Sequence, residues 1–125
     1  MNALVQPAML GDVLFYEAPN HYSREQVGVA PNQTLVIGTV LGKLTATSQI
    51  AALNPAAAEG SERTADIVLV DITTTADART DGLILARLGL VASHALVWPA
   101  AITDAQKAIA IAQLEVLGIV SRESA

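Results

Sequence analysis

At 125 residues the chain has the length of one domain, and its composition of 52% hydrophobic against 15% charged residues holds more apolar surface than one small core needs, since soluble domains average about 25% charged. Seven Lys and Arg against twelve Asp and Glu give a formal net charge of -5, the wrong sign for a protein built to neutralise nucleic-acid phosphates. The absence of cysteine removes disulfides, thiolate-ligated metal sites and thiol nucleophiles.

Residues 1–22 contain Pro7 and Pro19 with short apolar pieces such as Val13-Leu14-Phe15-Tyr16 and no sustained period. They read as a flexible N-terminal arm able to pack as an extended strand against an available edge, and they lack the basic start of a secretory signal. From Ser23 the pattern changes. Gln26 to Ala30 alternates, and after a turn at Pro31-Asn32-Gln33 the β-branched, glycine-punctuated run Thr34 to Leu44 predicts short, bent strands.

Thr45 to Ala65 reads as a connection, with turn chemistry at Asn54-Pro55 and Gly60. Ala65 to Ile72 is a continuous aliphatic run bracketed by acids and predicts a buried strand, Asp77 to Gly82 a turn, and Leu83 to Val91 with Ala95 to Val97 more strand. The apolar stretch 83–101 is interrupted by Arg87, His94 and Pro99, which argues against a membrane span of about 20 apolar residues. One helix is expected from Thr103. Thr103 and Gln106 have capping-box spacing, Asp104 places a negative charge in the first turn, and Gly118 suits the left-handed residue after its end. Ala105, Ala108, Ile109, Ala112 and Val116 fall on one face, which Ile111, Leu114 and Leu117 widen, and Ile119-Val120 follows as a short strand.

Candidate chemistry is sparse. His21 and His94 each lack a second ligand at metal-binding spacing, so no metal site is expected. Asp77 and Asp81 place two carboxylates in one loop without the alternating oxygens of a calcium loop, and read as solvated turn acids. No Gly-x-Ser-x-Gly elbow is present. Gly38 to Lys43 has three residues between its glycines where a phosphate loop needs four, so no nucleotide cofactor is expected. Trp98, ahead of Pro99, reads as a core plug with its indole N–H satisfied by backbone. Nothing here makes an enzyme. The chain reads as α+β, a β-rich small single domain with one main helix in its C-terminal half and a flexible arm, divided at 1–22 and 23–125.

Three stretches carry a resemblance. Tyr22-Ser23-Arg24-Glu25-Gln26-Val27 runs into Gln33-Thr34-Leu35 and Gly38-Thr39-Val40-Leu41-Gly42-Lys43; Leu53 to Ser61 forms a small-residue loop before the long aliphatic strand; and Leu96-Val97-Trp98-Pro99 precedes Thr103-Asp104 with Lys107 and a terminal Ile119-Val120. In this order they resemble the head-decoration proteins of tailed bacteriophages, the family of the lambda capsid-stabilising protein, with Asn32 standing where glycine is usual.

The resemblance implies a decoration, or cement, protein that forms a homotrimer on local threefold sites of the expanded head and stabilises it against packaged DNA. Its implied partners are the major capsid protein and itself, with no nucleic acid and no membrane, and its implied place is the outer capsid surface of the virion after assembly in the host cytoplasm. Implied capsid-binding residues lie in the arm: Gly11, Val13, Leu14, Phe15, Tyr16, Glu17, Pro19 and Tyr22, with Val13, Phe15 and Glu17 alternating to one side and Leu14 and Tyr16 to the other. Trp98 and Pro99 are the implied trimer or structural contacts. The competing expectation is a small β-rich interaction or carrier module of a cytoplasmic assembly, although Gly42-Lys43 lacks the flanking Glu/Asp/Ala-Met-Lys-type context of a carrier's modified lysine.

Overall fold

The computed structural model describes residues 10–100 and 102–123. A four-residue helix α1 (Leu10–Val13) leads into β1 (Leu14–Glu17), followed by β2 (Arg24–Val29), β3 (Thr34–Leu35), β4 (Val40–Lys43), β5 (Ile50–Ala52), β6 (Thr64–Val68), β7 (Ile72–Thr73), β8 (Arg79–Leu85), β9 (Gly89–Ala92), helix α2 (Asp104–Val116) and β10 (Ile119–Arg122). Strands β2, β5, β4, β6 and β8 close into a five-stranded barrel, β3 pairs with β7, and β1, β9 and β10 form a separate sheet in that order. The fold is α+β and β-rich, with one main helix.

Two cores explain the aliphatic runs. Leu41, Val68 and Ile84 point into the barrel with Val29, Leu35 and Ile50, while their chain neighbours Val40, Ile67 and Leu85 point outward to meet Val91, Leu96, Ala110, Leu114 and Ile119. Successive residues of a strand face opposite sides, so a strand covered on both faces reads as unbroken hydrophobics. Gly42 is required where β4 passes the loop before β6: a Cβ there would lie 2.5 Å from Ser61 Cα.

Helix α2 carries the expected capping box, with the Thr103 hydroxyl accepting from Gln106 N and the Gln106 side chain accepting from Thr103 N. Gly118 follows at φ +79°. Its buried side differs from the expected one. Ala110 and Leu114 face the core, whereas Ala105, Ala108, Ile109, Ala112 and Val116 are exposed, Ile109 at 60% and Val116 at 86%.

Other local expectations are corrected. The connection 45–65 contains β5, and the run 65–72 is two strands interrupted at Leu69-Val70-Asp71. Strand β8 begins at Arg79, inside the expected turn, and Ala95, expected in strand, lies in a 3-10 turn over Ser93–Ala95. The first nine residues of the expected arm lie outside the described residues; residues 10–22 pack on the domain.

Candidate functional site

Strand β1 lies at the edge of its sheet, paired antiparallel to β9, so its other edge has no strand beside it among the described residues. Leu14 pairs with Val91 and Tyr16 with Leu90, a register shift that leaves Phe15 as an extra residue. Strict alternation along 13–17 is therefore broken: Val13 is fully buried, Leu14, Phe15 and Glu17 are half-buried, and Tyr16 is 57% exposed. Bulges of this kind bend and twist a strand and are common at sheet edges.

The segment is fixed by polar contacts as well as by Val13. The Arg24 guanidinium donates to both carboxylate oxygens of Glu17, at 2.7 and 2.6 Å, and this hydrogen bonding holds the Glu17 carboxyl below its ordinary range. Ser23, fully buried, accepts from Ala18 N at 2.9 Å and donates to Leu88 O at 2.7 Å. Arg87 donates to Tyr22 O, lies 5.2 Å above the Tyr22 ring, and pairs with Glu25. These contacts tie the chain just after β1 to the start of β9.

Around this strand the surface is apolar. Tyr16, Leu88, Leu90 and Val120 border a shallow depression of about 380 Å3 with Arg122 at its margin. Leu88 is 47% exposed and adopts φ +47°, unusual for a branched side chain. Of the other implied arm residues, Gly11 lies exposed in α1, and Pro19 and Tyr22 are exposed at the 3-10 turn after β1. The structure thus pairs Leu14, Tyr16 and Glu17 with β9 and sets Tyr22 against Arg87, while Val13 is committed to the interior.

Trp98 and Pro99 are remote in sequence from this sheet and half-buried. Trp98 packs against the outer core, yet its indole N–H has no hydrogen-bond partner among the described residues, contrary to the expected backbone bond. The chain instead bridges here through Val97, which donates its N–H to Gly38 O at 2.9 Å and accepts from Val40 N at 3.1 Å. His94 is exposed in the 3-10 turn. Asp81 is paired with Arg79, whose hydrogen bonds lower its pKa; it sits in strand β8 rather than in a loop with Asp77.

Sequence reasoning passed over Asp66, read only as an acid bracketing a strand. It is 5% exposed, and burial pushes its carboxyl up to about 6 against the field of Lys43. The sequence signal was its position one residue inside the aliphatic run. Lys43 itself ends β4, opposite Ile50 of β5, and is not the tip of a carrier-type turn.

No group of three or more His, Cys, Asp or Glu able to hold a metal occurs among the described residues. No helix there is long and apolar enough to cross a membrane. No curated protein gives a match to the chain. A family model described as bacteriophage lambda head decoration protein D matches residues 3–119, nearly the full length and across both cores, the edge strand and the capped helix. The chain belongs to the bacteriophage lambda head decoration protein D family, a family of structural phage capsid proteins.

Proposed function

We propose that the chain binds the expanded head as a trimer at local threefold sites, with β1 and its flanking turns facing the major capsid protein, and thereby holds the shell against the pressure of packaged DNA. Membership of the decoration family supplies the capsid as partner. The observation that carries the finer reading is the outer edge of β1, unpaired among the described residues, beside an exposed apolar patch at Tyr16 and Leu88. An edge strand offers a row of backbone donors and acceptors to which another chain can add.

The anchoring of β1 bears on affinity. Ordering a free segment costs about 1–2 kcal/mol per residue of backbone entropy, much of it already met here because Leu14–Glu17 is held on β9 by backbone pairing and by Arg24. A preorganised edge therefore binds more tightly than a free arm with the same hydrogen bonds. Three such edges on one trimer act at high effective concentration after the first docks, which raises avidity by roughly 10² to 10⁴ where geometry allows. Support for self-association comes from the exposed apolar face Ala105, Ala108, Ile109, Ala112 and Val116 of α2, which a solitary domain has no reason to keep apolar.

Co-sedimentation with expanded, undecorated heads of the source phage tests this, using the full chain, a chain lacking residues 1–9, and Tyr16→Lys. Saturable binding at three copies per threefold site, weakened by a lysine on the edge, is the expected result. Equal binding by Tyr16→Lys would remove the edge mechanism and leave decoration standing; no binding by any form would overturn the reading.

A further inference from the structure

The sheet of β1, β9 and β10 has an outward face that docking along the edge of β1 leaves unused. Val91 of β9 and Ile119 of β10 turn inward and are fully buried in the outer core, so their chain neighbours Leu90 and Val120 turn the other way. The pairing sets Tyr16 beside Leu90 and Leu90 beside Val120, and one apolar row crosses all three strands. A sheet covered on one face ordinarily shows polar residues on the other. Here Leu90 and Val120 are half-buried and Tyr16 and Leu88 exposed, around the depression of about 380 Å3.

Leu88 sets this patch apart from incidental surface. Its φ of +47° lies in the left-handed region, where a side chain costs free energy that glycine does not incur. Neighbouring hydrogen bonds hold the turn: the buried Ser23 hydroxyl donates to Leu88 O at 2.7 Å, Leu88 N donates to Leu117 O at 3.2 Å, and Gly89 N donates to Gly118 O at 3.1 Å. The side chain rests over Gly118, where a Cβ would lie 2.7 Å from Leu88 Cδ2, yet the residue stays 47% exposed. A turn that strains its backbone to carry a leucine, and then leaves that leucine half open to solvent, gains little for the fold of a single chain. Strain of this kind collects where a surface is used.

Continuity and charge point to the partner. The row ends at Tyr16 on β1, so a strand added to that edge runs alongside it. Arg122, two residues after Val120 and on the same face, is the one charged residue among the described residues bordering the depression, and it makes no ion pair among them. In a chain of net charge -5 this rim is locally positive. An apolar centre with a charged rim is the usual plan of a specific contact between proteins.

We propose that the major capsid protein docks on this face as well as along the edge, filling the depression with an apolar side chain against Leu88, Leu90 and Val120 and pairing a neighbouring carboxylate with Arg122. Leu88 is the anchor, its strained backbone kept for the contact its side chain makes. The inference rests on the capsid-facing reading of β1 above and adds the chemistry that the partner carries.

The test compares wild type, Leu88→Asn and Arg122→Glu by co-sedimentation with expanded, undecorated heads of the source phage, beside thermal melts and sedimentation of the free chains. Asparagine is close to leucine in size and adopts a left-handed φ more readily, so Leu88→Asn should melt at or above the wild-type temperature while its affinity for heads falls at least about tenfold. Arg122→Glu should melt as wild type does and bind roughly fivefold more weakly at low salt, the gap closing as salt rises. Undiminished binding by either variant, with wild type decorating the heads, would overturn this inference and leave edge docking standing; failure of wild type to bind would overturn the capsid-facing reading together with it. A lowered melting temperature for Leu88→Asn would mean that the side chain serves the fold, and altered self-association of either free variant would give the face to a second copy; each of these results also overturns the proposal.

Discussion

Glu17, the last residue of β1, is held in a two-point grip by the Arg24 guanidinium, at 2.7 and 2.6 Å, with both side chains about one-fifth exposed. The pair joins the end of the edge strand to the first residue of the barrel, so it couples the small sheet to the main body. Replacing Arg24 by Ala leaves a partly buried carboxylate without its donors, and a loss of about 1–2 kcal/mol is expected, a fall of roughly 3–8 °C in Tm for a domain of this size. Because the partner holds the Glu17 carboxyl below its ordinary 4.5, its contribution is fully present above that value and is lost as pH falls through the lowered folded value. Thermal melts of wild type and Arg24→Ala should therefore differ at pH 7 and converge in strong acid.

Asp66 has the opposite sign. Its carboxyl is raised by burial from 3.8 to about 6, with Lys43 pulling against the rise, so between those values the folded state binds more protons than the unfolded one. Stability then declines as pH climbs from about 4 to above 6, by something on the order of 2–3 kcal/mol. The charged groups facing it across the cleft beside α2 are Lys43, Arg63, Glu25 and Arg87, the last two paired with each other. Asp66→Asn should unfold at higher urea concentration than wild type at pH 8 and near the same concentration at pH 4. An equal gap at both values would show that the buried charge is not the cause.

How far the sequence led can be judged at three places. The ends of α2 were legible because caps are local chemistry: Thr103, Gln106 and Gly118 do at the backbone what their residue types predict. Its buried side was not, because Ala105, Ala108 and Ile109 on one face and Ala110, Ile111 and Leu114 on the other are all apolar, and a helix with two apolar faces does not announce which of them turns to the core. Strand β1 was hidden for another reason. Four residues with a bulge at Phe15 show no two-residue period, and what makes them strand is pairing with β9, some 75 positions away. Asp66 and Thr64 lay in plain sight as polar residues at a strand start; only the fold reveals that α2 closes over them.

The two sides of α2 make a direct comparison. Leu114, 1% exposed in the outer core, should cost about 2–5 kcal/mol on replacement by Ala, through lost burial and the cavity left behind. Val116, two residues on and 86% exposed, should change stability by less than about 0.5 kcal/mol when replaced by Lys. Urea unfolding of dilute protein separates these. If copies associate through the exposed face, Val116→Lys and Ile109→Lys should abolish the concentration dependence of sedimentation while leaving the unfolding midpoint of the dilute protein where it was; unchanged association would move the subunit contact off this helix.

Docking through β1 has two physical versions, which hydrogen exchange on shell-bound protein distinguishes. In one the strand leaves β9 to join the capsid; in the other it stays and accepts a strand on its outer side. Leaving breaks the Glu17–Arg24 grip and withdraws Val13 from the interior, where it is fully buried, a penalty of several kcal/mol by the usual worth of such groups. Staying incurs none of this, and the outer edge has no strand beside it among the described residues. We therefore expect amides of Leu14–Glu17 to exchange more slowly on the shell while those of Gly89–Ala92 keep the protection they have in free protein. Faster exchange in Gly89–Ala92 on binding would mean that β1 had been pulled away, and that its pairing in the free protein is a parked state rather than the docking surface itself.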